Sequence, residues 1–258
     1  MVFARKRFGQ NFLHDTQVIA HIVEAINPQP GETLVEIGPG RGALTGPLVE
    51  VCEQLDAIEI DRDLAADLRT RFGGHGLVLH EADALRFDFP ALAATRGRRL
   101  RVIGNLPYNV STPLLFHLLE ARAAISDLHI MLQKEVIDRI CAEPGTAAYG
   151  RLTVMLAPWV VAEPLFDVGP GSFRPAPKVW SAVARLTVRE QPAFAVDARY
   201  ARVVAAAFSQ RRKTLRNALR SLLDADAISG CGIDPGARPE TLGPAQFAAL
   251  ARAVPETG

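Results

Sequence analysis

Cysteine, long apolar runs and charge of one sign are all in short supply in this sequence, and each shortage removes a class of protein. The three cysteines among 258 residues, Cys52, Cys141 and Cys231, stand far apart, with no CxxC pair and no histidine at ligand spacing. A disulfide scaffold or zinc ribbon is thereby excluded, and thiols so placed are expected to be reduced and buried in a cytoplasmic protein with no structural metal. No stretch reaches the ~18 apolar residues of a membrane span, and Arg5-Lys6-Arg7 is followed by no apolar leader segment, so neither membrane insertion nor secretion is expected. Because 29 basic residues nearly balance 28 acidic ones, the net charge is only +1, and any affinity for nucleic acid must come from local clustering. Internal repeats are also missing.

What is present is an alternation of short apolar runs with amphipathic stretches. Val18, Ile19, Ile22, Val23 and Ile26 predict a helix over 15–26, with Asp15 as its cap and Pro28 and Pro30 beyond its end. Strands are then expected over 33–38, 55–60, 76–80, 100–104 and 128–132, with helices over 43–51, 64–72, 112–121 and from about 134. This βαβα order predicts an α/β fold, a mostly parallel sheet covered on both faces. Segments 160–168 and 182–188, separated by a proline-rich loop, suit a hairpin-like sheet edge. After residue 197 only helices are expected, over 198–208, 211–223 and 244–253. The expected division is a sheet domain over 1–188 and a small all-helical domain over 189–258.

Glycines 38, 40 and 42 follow the first parallel strand directly and allow positive φ and close backbone approach to a ligand. Such a turn suits a nucleotide-like cofactor. With Ala43 the spacing also satisfies the dinucleotide fingerprint, so a nicotinamide cofactor stays open at this point. Glu59, at the end of the next strand, is placed to accept ribose hydroxyls, and Asp83, after the third, to accept from an adenine amino group. Each feature alone reads equally well as a tight turn or a solvated acid; their order in three successive βα units is what favours a site.

Asn105-Leu106-Pro107-Tyr108 closes the fourth strand. An adenine N6 amine is a poor nucleophile because its lone pair is delocalised, so acceptors that favour a more tetrahedral nitrogen would assist attack on an activated methyl. The side-chain carbonyl of Asn105 and the backbone carbonyl of Leu106 can be such acceptors, Pro107 stiffens the turn, and Tyr108 can stack on the base. The plain alternative is a β-turn whose Asn caps the helix near Ser111. Farther on, Arg202, Arg211, Arg212, Lys213, Arg216 and Arg220 fall in one stretch without an acid, and 212, 216 and 220 would share a face of one helix. The alternative is a solvated basic face.

On these residues the sequence resembles the ribosomal RNA adenine dimethyltransferases, the bacterial type that dimethylates two adjacent adenosines in the 3′-terminal hairpin of 16S rRNA. The resemblance runs along nearly the whole chain. It is carried by Phe8-Gly9-Gln10-Asn11-Phe12-Leu13, Glu36 to Gly42, Glu59-Ile60-Asp61, Asp83-Ala84, Asn105 to Asn109, Gln133-Lys134-Glu135-Val136, Phe173 to Val179, Phe208 to Asn217 and Arg238-Pro239-Glu240.

The resemblance implies a Rossmann-like class I S-adenosylmethionine-dependent methyltransferase sheet with an antiparallel last strand and a helical RNA-docking domain. It implies cofactor contacts at Asn11, Leu13, Gly38, Glu59, Asp83 and Asn105, with Gly40 and Gly42 in the same turn. It also implies a catalytic set of Asn105, Leu106, Pro107, Tyr108 and Phe173, with Phe173 facing Tyr108 across the target base, and RNA contacts at Arg211, Arg212, Lys213, Arg216 and Arg220. The sequence departs from the pattern at Trp180, where a small or acidic residue is expected. The implied partner is 16S rRNA in an immature small subunit, met by a monomer without a membrane. Three rivals remain: methylation of large-subunit rRNA or DNA adenine, a non-catalytic assembly factor, and, as the weakest, a nicotinamide-dependent dehydrogenase.

Overall fold

Four consecutive buried residues in Leu34–Ile37 and five in Leu55–Glu59 mark strands covered on both faces, as a parallel sheet between helices requires. The computed structural model describes residues 11–107, 110–210 and 213–255. In chain order its elements are β1 (Phe12–Leu13), α1 (Thr16–Ile26), β2 (Thr33–Ile37), α2 (Thr45–Val51), β3 (Leu55–Glu59), α3 (Arg62–Phe72), β4 (Leu77–Glu81), α4 (Phe89–Arg96), β5 (Leu100–Asn105) and α5 (Ser111–Glu120). There follow β6 (Ile125–Gln133), α6 (Lys134–Ile140), α7 (Arg151–Leu156), β7 (Val160–Val168), β8 (Phe173–Arg174), β9 (Ser181–Val188), α8 (Ala198–Ala207), α9 (Leu215–Ala218), α10 (Ala225–Gly230) and α11 (Pro244–Ala253).

Seven strands form one sheet in the order β4-β3-β2-β5-β6-β9-β7. The pairs from β4 across to β6 are parallel, and β9 runs antiparallel to β6. From β2 the chain builds outward to β3 and β4, then returns to place β5 on the other side of β2. That reversal opens a crevice beyond the carboxyl ends of β2 and β5, the usual ligand position in open α/β sheets. A two-stranded ribbon pairs β1 with β8, setting Phe12 opposite Arg174 and Leu13 opposite Phe173. No helix among the described residues is long and apolar enough to cross a membrane.

Two compact units result. One holds the described residues up to Ile137 with Ala162–Val188, and the other holds Asp138–Val161 with the described residues from Arg189. The division therefore departs from a single cut after residue 188. The reason is packing: Tyr149 and Val154 belong to the same core as Tyr200, Val203, Leu215 and Phe247. Tyr200 donates to Val154 O at 2.8 Å and Tyr149 to Leu242 O at 2.7 Å, tying α7 and its approach into this unit.

A second correction concerns the helix expected over 211–223, whose described residues hold only the single turn α9. The amides of Leu215 and Arg216 donate to Ala237 O and Pro235 O, so they are not available to carbonyls one turn earlier. Residues 220–222 form a turn, so 216 and 220 do not lie on one continuous helix, and 212 lies outside the described residues. Helices α4, α7 and α10 lie outside the expected helix spans.

Candidate active site

The three glycines after β2 do three different things. All have positive φ, +64° at Gly38, +58° at Gly40 and +76° at Gly42, a region that a side chain enters only with strain. A Cβ on Gly38 would meet nothing within 4 Å, whereas one on Gly40 would come within 3.2 Å of the Phe12 ring and one on Gly42 within 2.8 Å of Phe72. Gly38 thus leaves the crevice clear, and Gly40 lets β1 lie against the turn. Gly42 packs on α3 and does not line the crevice, contrary to its expected place in the cofactor set.

The crevice encloses about 290 Å³ and is walled by the ends of β2, β3, β4 and β5 together with Asn11, Phe12 and Leu13. At the end of β3, Glu59 is fixed by two backbone donors, Gly40 N to Oε2 at 3.1 Å and Asp61 N to Oε1 at 2.8 Å. Burial nevertheless pushes its carboxyl above the ordinary range, those two bonds opposing. Asp83 follows β4, with Oδ1 accepting from Leu85 N at 3.0 Å. Glu36 also lines the crevice, though it is absent from the expected site. Burial pushes its carboxyl up to about 7 against the hydrogen bond from Thr45 Oγ1 at 2.6 Å, and the charge of Glu59 adds to the rise. An acid between Val35 and Ile37 near the end of an otherwise apolar strand is the signal that could have revealed it.

Across the switch point, β5 ends in Asn105, which lies opposite Met131 of β6. Gly104 brings β5 close to β2, since a Cβ there would stand 2.7 Å from Ile37 O. Beyond it, Leu106 N donates to Met131 O at 3.1 Å and Val110 N to Pro107 O at 3.2 Å, so the turn is held on both sides. Asn105 Nδ2 donates to Asn11 O at 3.2 Å, which directs the amide nitrogen to the N-terminal segment and leaves Oδ1 as an acceptor. Helix α5 is capped at Val110 without a side-chain bond, so Asn105 is not its cap.

Asn11, Leu13, Gly38, Gly40, Glu59, Asp83, Asn105, Leu106 and Pro107 all line this one crevice. Tyr108 lies outside the described residues. Phe173 requires a correction. Its ring is 2% exposed, a member of the core with Leu13, Ile22, Val168 and Val183, and it does not face the crevice. Pairing of β8 with β1 places it there: it stands opposite Leu13, whose side chain belongs to the same core. Of the expected RNA set, Arg211 and Arg212 lie outside the described residues. In the helical unit Arg216 and Arg220 are exposed and Lys213 is half-buried.

The model of the family "Ribosomal RNA adenine dimethylase" matches residues 1–254. Among relatives, the "Ribosomal RNA small subunit methyltransferase A" of Acinetobacter baylyi is 57% identical over 96% of this chain and 91% of its own. The protein of that name from Aromatoleum aromaticum is 57% identical over 96% of this chain and 92% of its own. Of solved structures, the 23S rRNA methyltransferase ErmE is similar with a TM-score of 0.75 and 29% identity, over 95% of this chain and 99% of that one. A dimethyladenosine transferase from Plasmodium falciparum, at 23% identity and a TM-score of 0.80 over 93% of this chain and 95% of its own, shares the fold. The Rossmann-like class I methyltransferase sheet expected from the sequence is the fold found.

Proposed function

The chain belongs to the ribosomal RNA adenine dimethylase family, and from that premise we propose that it transfers methyl groups from S-adenosylmethionine to N6 of two adjacent adenosines in the 3′-terminal hairpin of 16S rRNA. The observation that carries this reading is the convergence of Glu59, Asp83 and Asn105 on one crevice at the switch point of the sheet. The target is an immature small subunit, met by a monomer in the cytoplasm. The 57% identity to proteins named for the small subunit, against 29% to a 23S rRNA enzyme, favours this subunit over the large one.

The crevice suits a nucleoside-type methyl donor. Gly38 is open on the side a Cβ would fill, and carboxylates stand at the ends of β3 and β4, where Glu59 would take ribose hydroxyls and Asp83 an adenine amine. When bound, S-adenosylmethionine supplies a sulfonium-activated methyl group. Asn105 Oδ1 and the Leu106 carbonyl accept the N6 hydrogens and favour a tetrahedral nitrogen, with Pro107 fixing the turn. This needs no general base, because the ammonium product can lose its proton afterwards. Catalysis by these groups is alignment and dipolar stabilisation.

Replacing Asn105 by Ala tests the assignment. The variant should retain the wild-type circular dichroism spectrum and transfer labelled methyl to small subunits about 10²-fold more slowly. Transfer at the wild-type rate would refute the role of Asn105. Subunit binding with no methyl incorporation by the wild-type protein would favour a non-catalytic assembly factor.

A further inference from the structure

Among the described residues, Trp180 is the one Phe, Tyr or Trp that stands exposed, at 55%. An indole left in water forgoes the stabilisation of burial, and it stacks well on any planar ring that reaches it. This one is held in place. Trp180 O accepts from Lys134 N at 2.9 Å, and Ser181 begins the β6–β9 ladder opposite Gln133. The ring lies beside Gly169, where a Cβ would come within 3.7 Å of its Cη2.

Its position follows from the strand register. Asn105 lies opposite Met131, and Gln133, two residues farther along the same strand, lies opposite Ser181. Trp180 therefore lies at the same end of the sheet as Asn105, roughly 14 Å away, two strand spacings across and three residues farther along. The loop that carries it is basic: residues 168–180 contain Arg174 and Lys178 and no acid. Arg174 and Lys178 are exposed on the same loop, and their side chains form no ion pair among the described residues. Lys134 is already matched by Asp167 at 3.0 Å. Exposed Val179 extends the apolar surface next to the indole.

We propose that Trp180, with Arg174 and Lys178, is a stacking platform for an unpaired nucleotide flanking the adenosine held at Asn105. The proposal rests on the reading of the chain as an RNA methyltransferase. A base drawn out of its stack leaves its neighbours without a partner, and an aromatic face flanked by cations supplies stacking and phosphate neutralisation together.

Two variants of the full-length protein test this. Trp180→Ala should raise KM for the RNA substrate about tenfold, with kcat and KM for S-adenosylmethionine unchanged, while Trp180→Phe should stay near wild type. Titration with a short single-stranded oligoribonucleotide should quench the indole emission of the wild type, and Trp180→Phe should lose that quenching. An unaltered KM for RNA in Trp180→Ala, or quenching that persists in Trp180→Phe, overturns the proposal. So does a Trp180→Ala protein that binds the oligonucleotide normally but binds intact subunits poorly, which would assign the face to a ribosomal protein. Were the wild type to transfer no methyl at all, the reading of the reaction would fall while the quenching comparison still decided the platform.

Discussion

A carboxyl group shut away from water resists ionisation, and Glu36 is 2% exposed with Thr45 Oγ1 as its donor. Its folded-state value of about 7 lies above the ordinary 4.5, so folding favours the protonated form. The stability this gives is fully present below 4.5 and is lost as pH rises through about 7. Glu36→Gln removes the dependence. Urea unfolding on either side of that window should show the variant gaining about 3 kcal/mol relative to wild type from the acid to the alkaline side. Parallel pH profiles for the two proteins would contradict the burial account. At this scale the meeting of Gly38, Glu59, Asp83 and Asn105 at one crevice was legible, because a glycine turn and polar residues at strand ends carry their own spacing. Glu36 was harder to see: a lone acid in an apolar strand looks like a partner facing outward until both faces of the sheet are known to be covered. The burial of Phe173 was invisible for a related reason, since it depends on β8 pairing with a strand about 160 residues earlier.

Helices declare themselves through their ends as much as through their apolar stripe, and α4 shows this. Asp88 accepts from Ala91 N at 2.9 Å, Pro90 stands in the first turn, and Gly97 closes the helix with φ +67°. Asp88→Ala should cost about 1 kcal/mol in chemical denaturation, with loss of the N-terminal turn visible in amide exchange. Unchanged stability would mean that water replaces the cap without cost. These end signals were in the sequence, but the helix is only eight residues long and its stripe is too short to stand out. The opposite error occurred at 211–223, where the side-chain spacing reads as one helix. There Ala237 O and Pro235 O take the amides of Leu215 and Arg216, and a competing backbone partner leaves no trace in periodicity. The core of β6 and helix α11 were legible because their apolar stretches are bounded by clear breaks.

Each of the two units has its own core, and in the helical one Phe247 is at the centre. Its ring is fully buried and stacks on Phe208 with centroids 5.5 Å apart. Phe247→Ala should lower the unfolding free energy of that unit by about 3–5 kcal/mol, as cavity formation in a packed core does. A loss under about 1 kcal/mol would show that the site collapses around the deletion. The alternation of strands and helices announced the α/β class, but neither the strand order nor the assignment of 138–161 to the helical unit is written in local patterns. Both depend on which distant segments find each other. The central claim, methyl transfer to paired adenosines, is tested most directly by incubating the wild-type protein with S-adenosylmethionine and unmethylated small subunits and analysing 16S rRNA by mass spectrometry. Two adjacent N6,N6-dimethyladenosines in the 3′-terminal hairpin are the predicted result. Unmodified adenosines there, or methylation only in 23S rRNA supplied alongside, would contradict it.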